Sequence, residues 1–180
     1  SVRLSFNTSF QHLTAEQKDF FAALALFAGE DFSSEAAAAV ADLPLEIAQD
    51  HLRRLYSLSL VQAGRKTAVS RADRYRLHLL LRDYASEQLG GDTAVQDRFI
   101  TYFVNFTQKH SHDFTALDLE RINITAALEL ADARGKTAEF IRGVLALYLF
   151  LEGKGLYETA QDYLNRVTSV YPNEPTLQLH

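Results

Sequence analysis

The segment Arg74–Leu89, RYRLHLLLRDYASEQL, changes its hydrophobic period part-way along. Tyr75 and Leu77 alternate with basic residues, and this period of two is typical of a strand with one apolar face. From Leu79 onward the apolar residues recur at helical spacing, which predicts a helix. A strand must therefore pass directly into a helix at His78. This junction restricts the fold to one that packs a small sheet against helices.

Helices separated by turns are predicted before this segment. Thr14 begins a capping box, and Ser33 or Ser34 caps a short alanine-rich helix. Pro44 suits the first turn of the helix that follows, which extends to about Leu58. Three or four helices followed by two short strands around a loop are typical of a winged helix-turn-helix.

The residues after this segment predict a second, entirely helical region. Gly90 and Gly91 end the preceding helix, so the predicted domains are a winged helix over residues 1–90 and a helical region over residues 91–180. Gly155–Asn173, GLYETAQDYLNRVTSVYPN, resembles the second half of a tetratricopeptide repeat (TPR). The predicted fold is therefore mainly α: a winged helix-turn-helix with a small β-hairpin wing, followed by antiparallel helix pairs of a TPR-like solenoid.

The composition excludes several kinds of site. The chain contains no cysteine, which excludes disulfides and thiolate metal sites and makes a cytoplasmic location the expectation. Its longest apolar runs, Phe20–Ala28 and Val144–Leu151, are too short to cross a bilayer, so no membrane partner is expected. The chain begins at Ser1 and contains no methionine, which indicates a piece of a longer protein.

The predicted wing, Arg65–Arg76, is strongly basic, because Asp73 is its only acidic residue. A basic wing suits contacts with DNA phosphates. The predicted recognition helix argues against base reading, because its acidic residues Glu46 and Asp50 lie where base-reading side chains usually sit. A DNA-binding transcriptional regulator with a helical dimerisation domain is the main alternative function, and a free-standing repeat scaffold is a third. If the wing does not bind DNA, it is either exposed to solvent or faces a nucleotide-binding domain.

No residue pattern predicts catalysis or metal binding. His110–Asp113 contains two histidines and an aspartate, but it lies at a predicted helix end, where polar side chains solvate the last carbonyl groups. The sequence contains neither a G-x-x-x-x-G-K-[ST] loop nor a G-x-S-x-G motif. We therefore expect no enzymatic activity and no metal site in this chain.

Several segments together resemble one family, the STAND-class P-loop ATPases of the NB-ARC and apoptotic-ATPase type, in their bacterial regulator branch. Three of them are similar to the winged-helix domain of that family. A fourth resembles the linker helix that opens the helical sensor region of bacterial members, around an E-R-x-N core formed here by Glu120, Arg121 and Asn123. The four segments are Leu13–Leu43, Leu52–Gln62, Arg74–Leu89 and Asp118–Gly135.

The resemblance implies a role for His78. In these ATPases a Met-His-Asp motif lies between the wing strand and the next helix, and its histidine contacts the β-phosphate of bound ADP in the closed resting state. The corresponding residues here are Leu77, His78 and Leu79, so the histidine is kept and the aspartate is replaced by Leu79. An acidic partner there would orient the ring and select its tautomer. From the residues alone, a histidine at a strand end also suits a helix cap or a half-exposed position.

The resemblance further implies a regulatory and protein-interaction module of a multidomain signalling ATPase. Such a module couples the ADP or ATP state to a helical-repeat sensor. ADP or ATP with Mg belongs to the parent protein, and no cofactor is expected in this chain. The implied partners are the upstream nucleotide-binding domain of the same chain and a protein or peptide ligand on the helical repeats. DNA is not an expected partner.

Overall fold

A computed structural model describes residues 2–27, 31–66 and 73–170, with side chains from residue 6 onward. Within these ranges the chain is 76% helical and contains one small antiparallel sheet of three strands, which confirms the predicted mainly α class. The contacts divide the chain into two compact units, unit 1 (Ser1–Tyr102) and unit 2 (Phe103–His180). The predicted boundary at Gly90 and Gly91 falls in the turn before the helix that contains this division.

Unit 1 combines helices with the sheet, and unit 2 is helical throughout the residues described. The described helices are α1 (Val2–Gln11), α2 (Ala15–Ala23), a short 3-10 helix (Leu24–Leu26), α3 (Ser34–Ala41), α4 (Leu45–Ser57), α5 (Leu79–Leu89), α6 (Thr93–Lys109), α7 (Phe114–Ala133), α8 (Thr137–Gly153) and α9 (Tyr157–Val170). The strands are β1 (Phe32–Ser33), β2 (Gln62–Ala63) and β3 (Arg74–Arg76).

Local signals place the helix starts of unit 1. Thr14 and Gln17 form the predicted capping box. The Gln17 N–H donates to the Thr14 hydroxyl at 3.2 Å, and the Thr14 N–H donates to the Gln17 side-chain oxygen at 3.1 Å. Ser33 caps α3 by accepting from the N–H of Ala36 at 3.1 Å. Pro44 occupies the N-cap position of α4 and not its first turn. Helix α1 has no counterpart in the sequence-based prediction.

The sheet is antiparallel with the order β1-β3-β2. The central strand is β3, in which Tyr75 lies opposite Phe32 of β1 and Ala63 of β2. The sequence predicts β2 and β3 but not β1, whose two residues lie at the predicted helix cap. Phe32 leads directly into α3, so β1 joins the sheet to the helical core.

An aromatic and aliphatic core holds unit 1 together. Phe27 stacks on Phe32 with ring centroids 4.4 Å apart, and Phe99 of α6 meets Phe27 edge-on at 5.4 Å. The sequence places Ala48, Leu52, Leu55 and Ser59 on one stripe of α4. The first three are buried, whereas Ser59 lies beyond the helix with a φ of 58° and is exposed. The fully buried side chains of unit 1 include Phe20, Phe21, Leu24, Leu52, Leu55, Leu60 and Leu81.

In unit 2, α8 packs against both α7 and α9. Turns of a few residues join consecutive helices, so neighbouring helices run antiparallel. α7 and α8 approach closely at Gly143, where a Cβ atom would lie 2.4 Å from Cδ2 of Leu128. Three residues of α9 that fall in the register of the tetratricopeptide resemblance, Ala160, Tyr163 and Val167, are buried.

Arg166 of α9 ties this helix to α7 and α8. Its guanidinium donates to both carboxylate oxygens of Glu129 at 2.9 Å and also binds Asp132. It lies 5.0 Å from the ring centroid of Phe140. The hydrogen bond to Glu129 is the main reason why the pKa of Arg166 is raised. Burial, followed by the charge of Glu129, raises the pKa of Tyr163 to about 12.

No helix in residues 2–27, 31–66 and 73–170 combines the length and the apolar character needed to cross a bilayer.

Candidate functional site

His78 lies at the predicted junction between β3 and α5. It is the N-cap of α5, and its Nδ1 accepts a hydrogen bond from the backbone N–H of Leu80 at 3.3 Å. The residue is exposed at the surface of unit 1. The capping role, which the residues alone leave open, is therefore observed, and the contact with a phosphate stays a prediction.

The cap also selects the tautomer of the neutral ring. Because Nδ1 accepts from Leu80, the ring proton of neutral His78 is on Nε2, which is then a donor. In the family that the sequence resembles, an aspartate follows the histidine. Here Leu79 occupies that position; it is the first residue of α5 and is 60% exposed. The backbone of α5 thus supplies part of the orientation that an acidic partner would give.

A cavity of about 530 Å³ opens beside His78. Its size falls in the range of about 300–1,000 Å³ that is usual for small-molecule sites. Among the residues that the structure describes, the lining combines basic side chains with a few apolar ones, and Asp31 is the one carboxylate. The lining residues are Phe27, Asp31, Gln62, Arg65, Arg76, Leu77, His78, Leu79 and Arg82.

A buried ion cluster forms one wall of this cavity. The Asp31 carboxylate accepts from Nη2 of Arg65 at 2.8 Å and from Nε of Arg65 at 3.1 Å. It also accepts from Nη2 and Nε of Arg74 at 2.8 and 3.0 Å. The side chains of Asp31 and Arg74 are 1% and 2% exposed, whereas Arg65 is 42% exposed. Two arginines therefore share one carboxylate.

The charge state of Asp31 follows from these contacts. Burial raises the pKa of this carboxyl, but the hydrogen bonds from Arg65 and Arg74 outweigh burial and lower the pKa from 3.8 to about 2. Asp31 is thus ionised at neutral pH, and it holds Arg65 against the cavity wall.

Gly64 makes this arrangement possible. A Cβ atom at Gly64 would lie 2.8 Å from Cβ of Asp31 and 3.0 Å from the backbone carbonyl carbon of Arg74. The Gly64 N–H also donates to the Arg74 carbonyl at 2.8 Å. Only glycine permits so close an approach between backbone and side chain.

Arg76 and Arg82 complete the basic side of the cavity. Nε of Arg76 donates to Oε1 of Gln62 on the paired strand at 3.2 Å, which orients the guanidinium. Arg82 is one helical turn beyond His78 on α5, and this spacing brings both side chains to the same face of the helix. Of the residues described by the structure, three arginines, one carboxylate and one histidine therefore line the cavity where β3 passes into α5.

The basic residues of the predicted wing lie in different environments in the structure. Arg65 and Arg76 line the cavity, Arg74 is buried on Asp31, and Lys66 is exposed without lining the cavity. Arg71 lies outside the described residues. Sequence reasoning missed Asp31, Gln62 and Arg82 as members of this site. Of these only Arg82 carries a sequence signal, its spacing from His78, whereas the other two reach the site through strand pairing.

The two other candidate groups lie in unit 2. His110 stacks on Phe106 at a centroid distance of 4.4 Å, and Asp113 caps α7 by accepting from the N–H of Ala116 at 3.0 Å. In the described part of the chain, no three histidine or carboxylate side chains are grouped as a metal site requires.

The residues of the E-R-x-N core fall on two sides of α7. Nδ2 of Asn123 donates to Oε2 of Glu120 at 3.1 Å, and both residues are buried. Arg121 is exposed and lies 3.7 Å from Asp118. Glu120 and Asn123 thus form a polar contact inside unit 2, whereas Arg121 remains at the surface.

Comparison of the chain with protein-family profiles, curated protein sequences and solved structures gave no match.

Proposed function

We propose that this chain is a regulatory module of a STAND-type signalling ATPase and that His78 contacts a phosphate of the nucleotide held by the parent protein. The observation that supports this most directly is the basic cavity at the junction of β3 and α5, with His78 at its rim. The cap leaves the Nε2–H of the neutral ring as a donor suited to a phosphate oxygen. No catalysis is assigned to the chain itself.

In this proposal unit 1 is a winged helix and unit 2 begins a TPR-like solenoid. Helices α2 to α4 followed by the paired strands β2 and β3 support the first assignment. The antiparallel packing of α7, α8 and α9 and the buried repeat positions of α9 support the second. An upstream nucleotide-binding domain would supply ADP or ATP with Mg, and a protein or peptide would bind the helical repeats.

Binding of ADP and closure of the winged helix would then be one linked equilibrium. A phosphate contact from His78 stabilises only the closed, ADP-bound arrangement. Its loss therefore shifts the parent protein toward the open state, while the fold of this chain is retained. Because Leu79 replaces the family's aspartate, we expect the phosphate contact of His78 to stabilise the closed state less than it does when the acidic residue is present.

The test is the rate of ADP release from the full-length parent with His78→Asn and His78→Ala. Asparagine keeps an acceptor for the Leu80 N–H but lacks the imidazole, whereas alanine also loses the cap. Loss of a charge-assisted hydrogen bond costs about 1.5–3 kcal/mol, so both variants should release ADP roughly ten- to hundredfold faster, at the lower end of that range.

The control for this test is His112→Asn, which changes an exposed histidine of unit 2. If ADP release were unchanged in His78→Asn, or accelerated only in His78→Ala, His78 would be a helix cap without a nucleotide contact.

The alternative function, DNA binding, has the basic wing in its favour. Arg65 and Arg74 are engaged with Asp31, however, and Glu46 lies in the first turn of α4. We therefore predict weak, non-specific DNA binding that is lost between about 100 and 200 mM salt. Fluorescence anisotropy with duplexes of different sequence at increasing salt measures this. Sequence-specific binding that survives this salt range would favour the transcriptional regulator instead.

A further inference from the structure

We infer that Arg65 and Arg76 form a clamp for a pyrophosphate group and that the cavity of this chain recognises two linked phosphates without the help of His78. The inference rests on the proposed function only for the identity of the nucleotide. It assigns the phosphate recognition to the arginines of the β2 and β3 segments.

The first argument is that each arginine is hydrogen-bonded to a neighbouring side chain of the cavity lining. Arg65 binds Asp31 through Nε and Nη2 at 3.1 and 2.8 Å, while its side chain stays 42% exposed at the cavity wall. Arg76 is held through Nε by Gln62 at 3.2 Å. An anchored guanidinium loses less conformational freedom when it binds a ligand than a freely rotating one. The cavity is therefore preorganised.

The second argument is the balance of charge. In the described part of the chain, Asp31 is the one carboxylate that lines the cavity, and buried Arg74 shares it with Arg65. Arg76 and Arg82 add two further positive charges to the lining. The described lining residues thus carry more positive than negative charge, which favours an anion with more than one charge.

The third argument is geometric. A planar guanidinium presents paired N–H groups that match two oxygens of a phosphate, so each arginine suits one phosphate. Arg65 follows β2 and Arg76 ends β3, so they approach the cavity from two paired strands. Phe27, Leu77 and Leu79 supply an apolar side that suits the uncharged part of a larger ligand. A diphosphate can contact both arginines at once, so it fits this arrangement better than a single phosphate or sulfate.

The experiment is an NMR titration of the full 180-residue chain with inorganic pyrophosphate at constant ionic strength. Phosphate, sulfate, AMP and ADP are titrated in parallel. We expect pyrophosphate and ADP to bind in the millimolar range, and phosphate, sulfate and AMP to bind about tenfold more weakly, because each of these lacks the second phosphate. The resonances that shift should belong to residues that line the cavity.

The variants Arg65→Gln and Arg76→Gln should each weaken pyrophosphate binding by about tenfold or more, because each removes one charge-assisted contact. Lys66→Gln is the matched control, since Lys66 is the exposed neighbour of Arg65 and does not line the cavity. It changes the net charge equally and should leave binding within about twofold. Circular dichroism checks that each variant is folded.

Three results would overturn the clamp: no pyrophosphate binding by the wild-type chain, an equal loss in Lys66→Gln, or a loss confined to one of the two arginines. The outcome is separable from that of the proposed function. Pyrophosphate binding that depends on both arginines supports the clamp even if His78→Asn leaves ADP release from the parent unchanged. Conversely, faster ADP release in that variant would support the proposed function even if the isolated chain binds no pyrophosphate.

Discussion

Replacing Asp31 with asparagine is expected to lower the free energy of unfolding by about 3–5 kcal/mol, because it removes the carboxylate that neutralises a buried guanidinium. Arg74 is 2% exposed and cannot turn into water without disrupting β3, whereas Arg65 is partly exposed and can be resolvated. Most of the loss therefore comes from Arg74. Urea denaturation of the wild-type and variant chains, followed by circular dichroism, measures the difference.

The matched control is Asp50→Asn. Asp50 pairs with Arg53 on the surface of α4, and both side chains are more than half exposed. An exposed pair contributes only about 0–1 kcal/mol, so this variant should remain close to wild type. Equal losses at Asp31 and Asp50 would show that the buried cluster contributes no more than a surface ion pair.

The same cluster predicts the pH dependence of stability. The pKa of Asp31 is 3.8 in its ordinary environment and about 2 in the folded chain, so the folded state binds this proton more weakly than the unfolded state does. The stabilising contribution is therefore complete above the ordinary value and is lost as the pH falls toward 2. In the Asp31→Asn variant this part of the acid destabilisation should be absent.

Phe140→Ala is expected to cost about 3–5 kcal/mol, which is the usual range for deleting a buried aromatic ring. Phe140 is 1% exposed and meets Tyr163 edge-on at a centroid distance of 6.0 Å. The Arg166 guanidinium lies 5.0 Å from the same ring, so the variant also loses a cation–π contact beside the ion network. Hydrogen exchange of the α8 and α9 amides, together with urea denaturation, locates and measures the loss.

Tyr157→Ala controls for the general effect of removing an aromatic side chain, since Tyr157 is 65% exposed at the start of α9. Its effect should lie within about 0.5 kcal/mol. Phe140→Leu separates the two contributions, because it fills much of the volume but has no ring for Arg166. If Phe140→Ala and Tyr157→Ala destabilised the chain equally, Phe140 would not be part of the core that holds α8 to α9.

Features that depend on neighbouring residues could be predicted from the sequence. The capping box of Thr14 and the cap at Ser33 join atoms only three residues apart, so the residue types alone predict them. The buried stripe of α9 follows from a period of 3.6 residues, which any amphipathic helix shows. The change of period at His78 correctly located the start of α5 at Leu79, whereas β3 ends at Arg76, two residues before the predicted junction.

The candidate site depends on residues that are far apart in the chain, and only the tertiary structure brings them together. Asp31 binds Arg65 across 34 residues and Arg74 across 43 residues, so no local pattern indicates either contact. The sequence identified a basic wing but could not show which of its basic residues are buried. Strand pairing decides that Arg74 is buried while Arg65 and Arg76 line the cavity. The sequence by itself thus determined the starts of α2, α3 and α5, through interactions within a few residues. Long-range packing decided that two arginines share one buried carboxylate, and thereby which charged residues line the cavity.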